Sequence, residues 1–160
     1  MSNYITSNFS NLIFSCSVPS QWHMEHRVTD HCVVFVRQGK LLISDKGRTE
    51  EIPAGSCVFL KKDCSVRLVK ASFAGKNYEG LNIRLPQNIL EDYFQRHLKN
   101  NEFPQDFTGL SNCFMRLNRT LCLQGLLSSI ILFVEEGQDP GQEMTELKVE
   151  ELILDLLQTN

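Results

Sequence analysis

The sequence predicts a mainly β fold with added α-helices: a double-stranded β-helix of the jelly-roll kind, followed by a C-terminal α-helical hairpin. Between residues 31 and 68, short runs rich in Val, Ile, Leu and Phe are separated by Gly39, Gly47 and Gly55. Glycine tolerates the positive φ of tight turns, and short strands joined by such turns close well into a barrel. After residue 117 the apolar residues recur at helical spacing, which predicts the hairpin.

The barrel strands are expected near residues 32–37, 40–45, 48–52, 57–61, 65–70 and 78–85. In the last of these, Leu81, Ile83 and Leu85 alternate with Asn82 and Arg84, which is typical of a strand. Residues 1–20 are rich in Ser and Asn and contain one apolar island at 12–14. They are interpreted as an N-terminal arm with at most one strand.

A first helix is expected over residues 87–99, because apolar residues after Pro86 recur at helical spacing. Residues 100–112 contain proline, glycine and scattered polar residues, which predicts a loop. The helical pattern resumes at Leu117, and Gly137 suits the C-terminal cap of that helix.

The last helix is predicted over about residues 140–157. Asp139 supplies an N-cap, Pro140 suits the first helical position, and Gln142 can complete a capping box. A chain of 160 residues that is 42% hydrophobic can bury one sizeable core. We therefore expect one compact domain, with an arm and barrel over 1–86 and a helical region over 87–160.

Two barrel segments, G-K-L-L-I-S-D-K-G (39–47) and E-I-P-A-G-S-C-V-F-L-K-K (51–62), resemble the cupin barrel at the N-terminus of AraC-type bacterial transcription regulators. The segment E-L-K-V-E-E-L-I-L-D-L-L (146–157) resembles the helix that precedes the DNA-binding half in that family. The resemblance covers residues 30–158 and is nearest to activators of type III secretion genes. It implies an effector-sensing and dimerisation domain, with a helix-turn-helix domain expected after Asn160.

The charge of the chain excludes strong DNA binding by these residues alone. A net charge of -3 and a pI near 5.8 create no field that attracts a polyanion. DNA is therefore expected to be contacted only through the absent C-terminal domain. No positive charge precedes Arg27 and no apolar run reaches the ~18–20 residues of a membrane span, so we expect no membrane contact and a cytoplasmic protein.

Six cysteines occur without a C-x-x-C pair, and several fall inside apolar strand patterns. In a reducing compartment this favours buried thiols over disulfides or a zinc site.

The histidines do not complete a metal site of the cupin type. His23, Glu25, His26 and His31 form a loose cluster, but the later strand around Arg67 offers no histidine ligand. His23 and His26 are therefore interpreted as solvated residues, and His97 as a packed one. No nucleophile elbow, H-E-x-x-H or phosphate loop is present in the sequence. We expect no catalytic residues, no metal, no cofactor and no enzymatic activity, with a metal-dependent cupin enzyme as the alternative.

A barrel without catalytic groups can still bind a small molecule in its mouth, where apolar walls and a few polar groups cooperate. The candidate ligand-binding residues are Trp22, Phe35, Arg67, Tyr78 and Arg84. Each has a structural alternative: the arginines can face solvent, Trp22 can cap the barrel, and Tyr78 can flank a turn.

The two terminal helices each carry an apolar stripe, which predicts a homodimer. The candidate interface residues are Leu123, Leu127, Ile130, Ile131 and Val134 on one helix and Leu152 and Leu156 on the other. The alternative is that both stripes pack on the barrel of the same chain. The resemblance to secretion activators leaves the regulator open between a small-molecule effector and a regulatory protein, such as an antiactivator bound to a pure interaction module.

Overall fold

The computed structural model describes residues 4–97 and 112–159. The strands are β1 (Ile5–Phe9), β2 (Ile13–Val18), β3 (Gln21–Arg27), β4 (His31–Gln38), β5 (Lys40–Asp45), β6 (Arg48–Pro53), β7 (Cys57–Leu60), β8 (Ser65–Ala71), β9 (Tyr78–Leu85) and β10 (Phe114–Arg116). The helices are α1 (Gln87–His97), α2 (Leu121–Glu136) and α3 (Gln142–Thr159).

The strands form two antiparallel sheets that enclose an apolar interior. The larger sheet has the order β1-β2-β9-β4-β7-β10 and the smaller one the order β3-β8-β5-β6. The barrel core between them contains Val18, Val34, Val36, Leu41, Ile43, Ile52, Val58, Leu60, Val66, Leu68, Tyr78 and Phe114, among others. Gly39 turns the chain between β4 and β5 with a φ of 76°, and a Cβ there would lie 2.5 Å from the Ala71 carbonyl oxygen.

The three helices cover the outer face of the larger sheet and form a second core with it. Val33, Phe59 and Ile83 from this face join Leu126 and Leu152 of the helices in that helix–sheet core. Successive side chains of a strand point to opposite faces, so β4 is buried on both sides. Its apolar run is continuous for this reason, as in strands covered on both faces.

Local capping sets the boundaries of the helical hairpin. Thr120 is the N-cap of α2, and its hydroxyl accepts a hydrogen bond from the Leu123 amide at 3.1 Å. Gly137 is the left-handed C-cap, with a φ of 63°. In the turn that follows, the Gly141 amide donates to Asp139 Oδ1 at 2.8 Å.

The predicted fold class is confirmed: the chain is mainly β, with a jelly-roll barrel followed by helices. Strands β5 and β9 have the predicted bounds, and α1 begins as predicted at Gln87. The predicted helix end at 98–99 and nearly all of the predicted loop over 100–112 lie outside the described residues.

Four local predictions were wrong. Helix α3 begins at Gln142 and not at Pro140, and Asp139 accepts a hydrogen bond from Gly141 in the turn before it instead of capping the helix. The N-terminal arm contains two strands, β1 and β2, because Ser10 and Asn11 adopt φ values of 54° and 56° and turn the chain back on itself. Strand β3 was not predicted. The helix expected from Leu117 begins at Leu121, because the Leu117 amide still donates to the Cys57 carbonyl oxygen beside β7 at 3.0 Å and Thr120 is the N-cap.

The prediction of six buried thiols was also wrong. Cys64 and Cys113 form a disulfide, Cys122 is exposed and Cys16 is half-buried, whereas Cys32 and Cys57 are buried free thiols. Burial raises the pKa of both buried thiols to about 12. The pairing of β10 with β7 brings Cys113, the residue before β10, close to Cys64, the residue before β8.

Candidate functional site

The polar groups that face the barrel interior are set by the pairing of β3 with β8. In this register Trp22 lies opposite Lys70, Met24 opposite Leu68, and His26 opposite Val66. Leu68 and Val66 belong to the barrel core, and Trp22 and Met24 pack against it. Because side chains alternate along a strand, Lys70 and His26 share this inward face.

These side chains surround a cavity of about 60 Å³ inside the barrel. Its lining residues are Cys16, Met24, His26, Val34, Leu41, Leu60, Leu68, Lys70, Tyr78, Leu81 and Asn82. The walls are mainly apolar and contain no acidic side chain.

Lys70 carries a positive charge at this cavity. Its Nζ lies 3.5 Å from Cys16 Sγ, 5.8 Å from the centroid of the Trp22 ring and 5.5 Å from that of the Tyr78 ring. Among the described residues, no carboxylate oxygen lies within 4.0 Å of Lys70 Nζ. The aromatic faces hold the ammonium group in place but do not neutralise it.

Two buried polar atoms of β9 line the same cavity without a hydrogen-bond partner. They are the Tyr78 hydroxyl and Asn82 Oδ1. Tyr78 is 0% exposed, and burial, with the nearby Cys16, raises the pKa of its phenol, which therefore keeps its proton. A Cβ on Gly80 would lie 2.6 Å from this hydroxyl, so glycine there leaves space for it. Buried polar atoms are rarely left unpaired, which makes this pair notable.

His26 faces the cavity from the opposite sheet. Burial, and secondly the charge of Lys70, lower the pKa of its imidazole below 6.5. Near neutral pH the ring is therefore uncharged, and Lys70 remains the charged group at the cavity.

The structure brings together two of the five predicted ligand-binding residues. Trp22 and Tyr78 both contact Lys70 through their rings. Arg67 lies on the outer face of β8, where its guanidinium pairs with Glu25 at 3.0 Å. Arg84 pairs with Asp30 at 2.5 Å and donates to the Asn11 carbonyl oxygen.

Phe35, the fifth predicted residue, faces the helices instead of the barrel interior. It lines a groove of about 100 Å³ between the larger sheet and α2, beside Cys57, Arg119, Leu123 and Ile131. The alternation along β4 places Phe35 with Val33 on the helix side and Val34 on the barrel side.

Five of the seven predicted interface residues lie inside the helix–sheet core of a single chain. They are Leu123, Leu127, Ile130, Leu152 and Leu156, each at most 5% exposed. Ile131 and Val134 are partly buried and pack against the same core. A partner that binds the helical layer would therefore meet the opposite faces of α2 and α3.

Lys70, His26 and Asn82 were missed by sequence reasoning, although the sequence carries a signal for the first two. For Lys70 and His26 the signal is that the residues two and four positions before them on the same strand are apolar: Val66 and Leu68 for Lys70, and Trp22 and Met24 for His26. Asn82 shares its face of β9 with Tyr78 and Gly80, and no such pattern marks it. The strand that contains His26 was not predicted, so the histidine was interpreted as solvated.

The other histidines do not assemble a metal site in the described part of the chain. His23 is exposed, whereas His31 is buried, stacks on Phe59 and accepts a hydrogen bond from the Lys62 amide at 3.0 Å. His97 is exposed at the end of α1, with its ring 4.5 Å from that of Tyr93. Within residues 4–97 and 112–159, no three His, Cys, Asp or Glu side chains are grouped closely enough to hold a metal ion.

None of the described helices combines the length and apolar character needed to cross a membrane.

The family model described as "ExsA N-terminal regulatory domain" matches residues 31–160, which include β4 through α3. The chain belongs to this family. It is thus a regulatory domain of the AraC-type activators, as the resemblance implied. No curated protein matches the sequence.

Two solved structures of ToxT from Vibrio cholerae share the fold. The apo form of a ToxT variant matches with a TM-score of 0.64 at 12% identity, over 95% of this chain and 58% of that chain. Wild-type ToxT bound to an unsaturated fatty acid matches with a TM-score of 0.61 at 13% identity, over 92% of this chain and 52% of that chain. The regulatory domain therefore spans little more than half the length of these proteins.

A cupin-2 domain protein from Shewanella frigidimarina also matches, over 52% of this chain and 78% of that chain, at 16% identity and a TM-score of 0.40.

Proposed function

We propose that this chain is the effector-sensing and dimerisation domain of an AraC-type activator, and that it controls DNA binding by a helix-turn-helix domain outside this sequence. The observation that carries the proposal is the family match, because it extends over both the barrel and the helical layer. The ToxT fold, shared over more than nine-tenths of the chain, supports it.

The proposed dimer surface is the outer face of α2 and α3, which we define by its five exposed apolar residues: Leu121, Leu132, Met144, Leu147 and Leu154. Leu121 is 85% exposed, Leu132 59% and Leu147 52%. Met144, Leu147 and Leu154 are three and seven residues apart, which places them on one side of α3. Several large apolar side chains that stay exposed on one side of a helix are typical of an interaction site.

The barrel cavity is the proposed effector site. The ToxT structure with an unsaturated fatty acid is a case of a carboxylic acid bound by a protein of the same fold. In this chain the apolar walls and the inward-facing Lys70 offer burial and a positive charge to a carboxylic acid small enough for the cavity.

The second candidate is a pure interaction module that binds a regulatory protein, and the outer face favours it. A regulatory protein such as an antiactivator could bind the same exposed leucines that a second copy of this chain would bind. The two functions differ in outcome, because a module of this kind would leave the purified chain monomeric. The proposal includes a cytoplasmic location, no enzymatic activity, and DNA contact only through the helix-turn-helix domain.

A reporter assay tests the dimerisation function directly. We expect this chain, fused to a DNA-binding domain that binds its operator only as a dimer, to restore repression of a reporter gene. Leu147→Glu combined with Leu154→Glu should abolish repression, since charges at the centre of an interface weaken association by about 2 kcal/mol or more each.

The matched control is Phe73→Glu, which places a charge on an exposed apolar residue of the β8–β9 connection, away from the helices. It should repress like the wild type at equal protein level. Repression by the double variant, or none by the wild-type fusion, would contradict the proposal.

A further inference from the structure

The barrel cavity contains a positive charge without a nearby carboxylate and a buried hydroxyl group without a hydrogen-bond partner. Lys70 brings a positive charge to walls without an acidic residue, and the Tyr78 hydroxyl faces the same space with no partner. Burying a hydroxyl without a partner is unfavourable, and the half-buried Lys70 ammonium group has a thiol but no carboxylate beside it. An anion that also accepts a hydrogen bond would interact with both groups.

The size of the cavity limits that anion. One water-sized atom needs roughly 10–15 Å³ of such space, so about 60 Å³ admits about four to six non-hydrogen atoms. A long acyl chain exceeds this volume. A phosphate group would bring two charges to a site that has one cation, and its other oxygens would face Leu41, Leu60 and Leu68.

We propose that the barrel interior binds a short carboxylate of about four to six non-hydrogen atoms, held between Lys70 Nζ and the Tyr78 hydroxyl. The ammonium group pairs with one carboxylate oxygen, and the phenol donates its hydrogen bond to the carboxylate. The short apolar part packs against Met24, Leu41 and Leu68. This proposal deepens the proposed effector function and rests on it.

Asn82 extends the proposal to hydroxylated acids. Its unpartnered Oδ1 lines the same cavity and accepts a hydrogen bond from a donor. A carboxylate has no donor, whereas a hydroxyl group next to the carboxylate has one. A short hydroxy acid therefore forms hydrogen bonds with more of the polar groups in the cavity than a carboxylic acid of equal length without the hydroxyl group.

The single tryptophan of the chain reports on this site. Trp22 is the one Trp in the sequence, and its ring centroid lies 5.8 Å from Lys70 Nζ. We expect lactate and propionate, added at constant ionic strength, to change its fluorescence with saturation. Lactate should bind several-fold more tightly than propionate. Propionamide, the uncharged analogue, should give no saturable change, and inorganic phosphate should bind more weakly than either acid.

Three variants locate the binding. Lys70→Met, which keeps the apolar stem, should weaken binding by about tenfold or more, and Tyr78→Phe by about fivefold. The matched control Arg67→Met removes a cation of the same strand that faces outward, so binding should stay within about twofold of the wild type.

Folding is checked separately, because a variant that fails to fold would also lose binding. Tyr78→Phe removes a hydroxyl that has no partner, so its urea midpoint without ligand should equal or exceed that of the wild type. The absence of a saturable change with both acids, equal binding by Lys70→Met, or equal binding of propionamide would each overturn the carboxylate site. The dimerisation test uses no ligand. A chain that dimerises but binds neither lactate nor propionate would therefore overturn the carboxylate site and leave the proposed dimerisation function standing.

Discussion

At the residue scale, Lys70 gives the otherwise mainly apolar barrel interior a positive charge. Its ammonium group sits over the rings of Trp22 and Tyr78, and such cation–π contacts contribute about 0.5–2 kcal/mol each. They offset part of the cost of partial burial. The lysine is thereby held at the cavity and is available to an anion.

His26 predicts a pH dependence of stability that originates in the barrel. Burial, and then Lys70, lower the pKa of His26 in the folded chain, whereas in the unfolded chain it stays near 6.5. As the pH falls below about 6.5, the unfolded chain takes up a proton that the folded chain resists. This contribution of His26 to stability is present above pH 6.5. It is lost as the pH falls toward the pKa of His26 in the folded chain.

Urea unfolding at about pH 7.5 and about pH 5.5 measures this effect. His26→Gln should reduce the drop in midpoint between the two pH values. Lys70→Met should reduce it less, since burial is the larger cause. A drop in His26→Gln as large as in the wild type would show that other groups produce it.

The sequence predicted Trp22 and Tyr78 at the site but not Lys70, and the reason lies in strand β8. Apolar residues occur on both faces of this strand: Val66 and Leu68 lie on one face, and Val69 and Ala71 lie on the other. Alternation alone therefore does not distinguish the inner face from the outer one. The pairing with β3 decides it, and that strand has only two apolar residues.

At the element scale, the Cys64–Cys113 disulfide joins β10 to the start of β8. The two residues are 49 positions apart. Closing a loop of this length lowers the entropy of the unfolded chain by an amount worth about 4 kcal/mol at most. The bond thus secures the edge strand through which the chain passes to α2.

Cys64→Ser should lower the free energy of unfolding by about 2–4 kcal/mol, and dithiothreitol should have the same effect on the wild type. The urea midpoint measures both. The control is Cys122→Ser, which changes an exposed free thiol on α2 and should leave the midpoint unchanged. A Cys64→Ser midpoint equal to that of the wild type would contradict a stabilising role for the disulfide.

Elements with strong local signals were predicted well, and elements that depend on partners were not. Strand β9 has apolar alternation and β5 is an apolar run between the turn glycines Gly39 and Gly47, and the bounds of both were correct. Strand β10 has three residues and exists because β7 offers an edge. No local pattern in the sequence marks such an edge, so the disulfide beside it could not be predicted either.

At the scale of the whole molecule, the larger sheet is shared by the two cores. In β4, Val34 lines the barrel cavity and Val33 packs under the helices. Because protein interiors are close-packed, a shift of this strand changes the side-chain packing in both cores. The sheet thus connects the proposed effector site in the barrel with the helical layer that carries the proposed dimer surface.

The sequence predicted that the terminal helices are amphipathic, but it did not show what covers the apolar stripe. Leu127 and Leu152 turned out to pack on the sheet of their own chain. The outer face was overlooked because the residues three and four positions from Leu132 are all polar, and most of those around Leu147 are polar too. Periodicity identifies the buried side of a helix, whereas only the tertiary structure identifies the neighbour that buries it.

Sedimentation equilibrium of this chain over a range of concentrations tests the central claim, that the outer face of α2 and α3 pairs two copies. We expect the wild type to dissociate from dimer to monomer on dilution. The variant with Leu147→Glu and Leu154→Glu should be monomeric throughout, with an unchanged circular dichroism spectrum. A wild type that is monomeric at every concentration, or a folded double variant that still dimerises, would contradict the account.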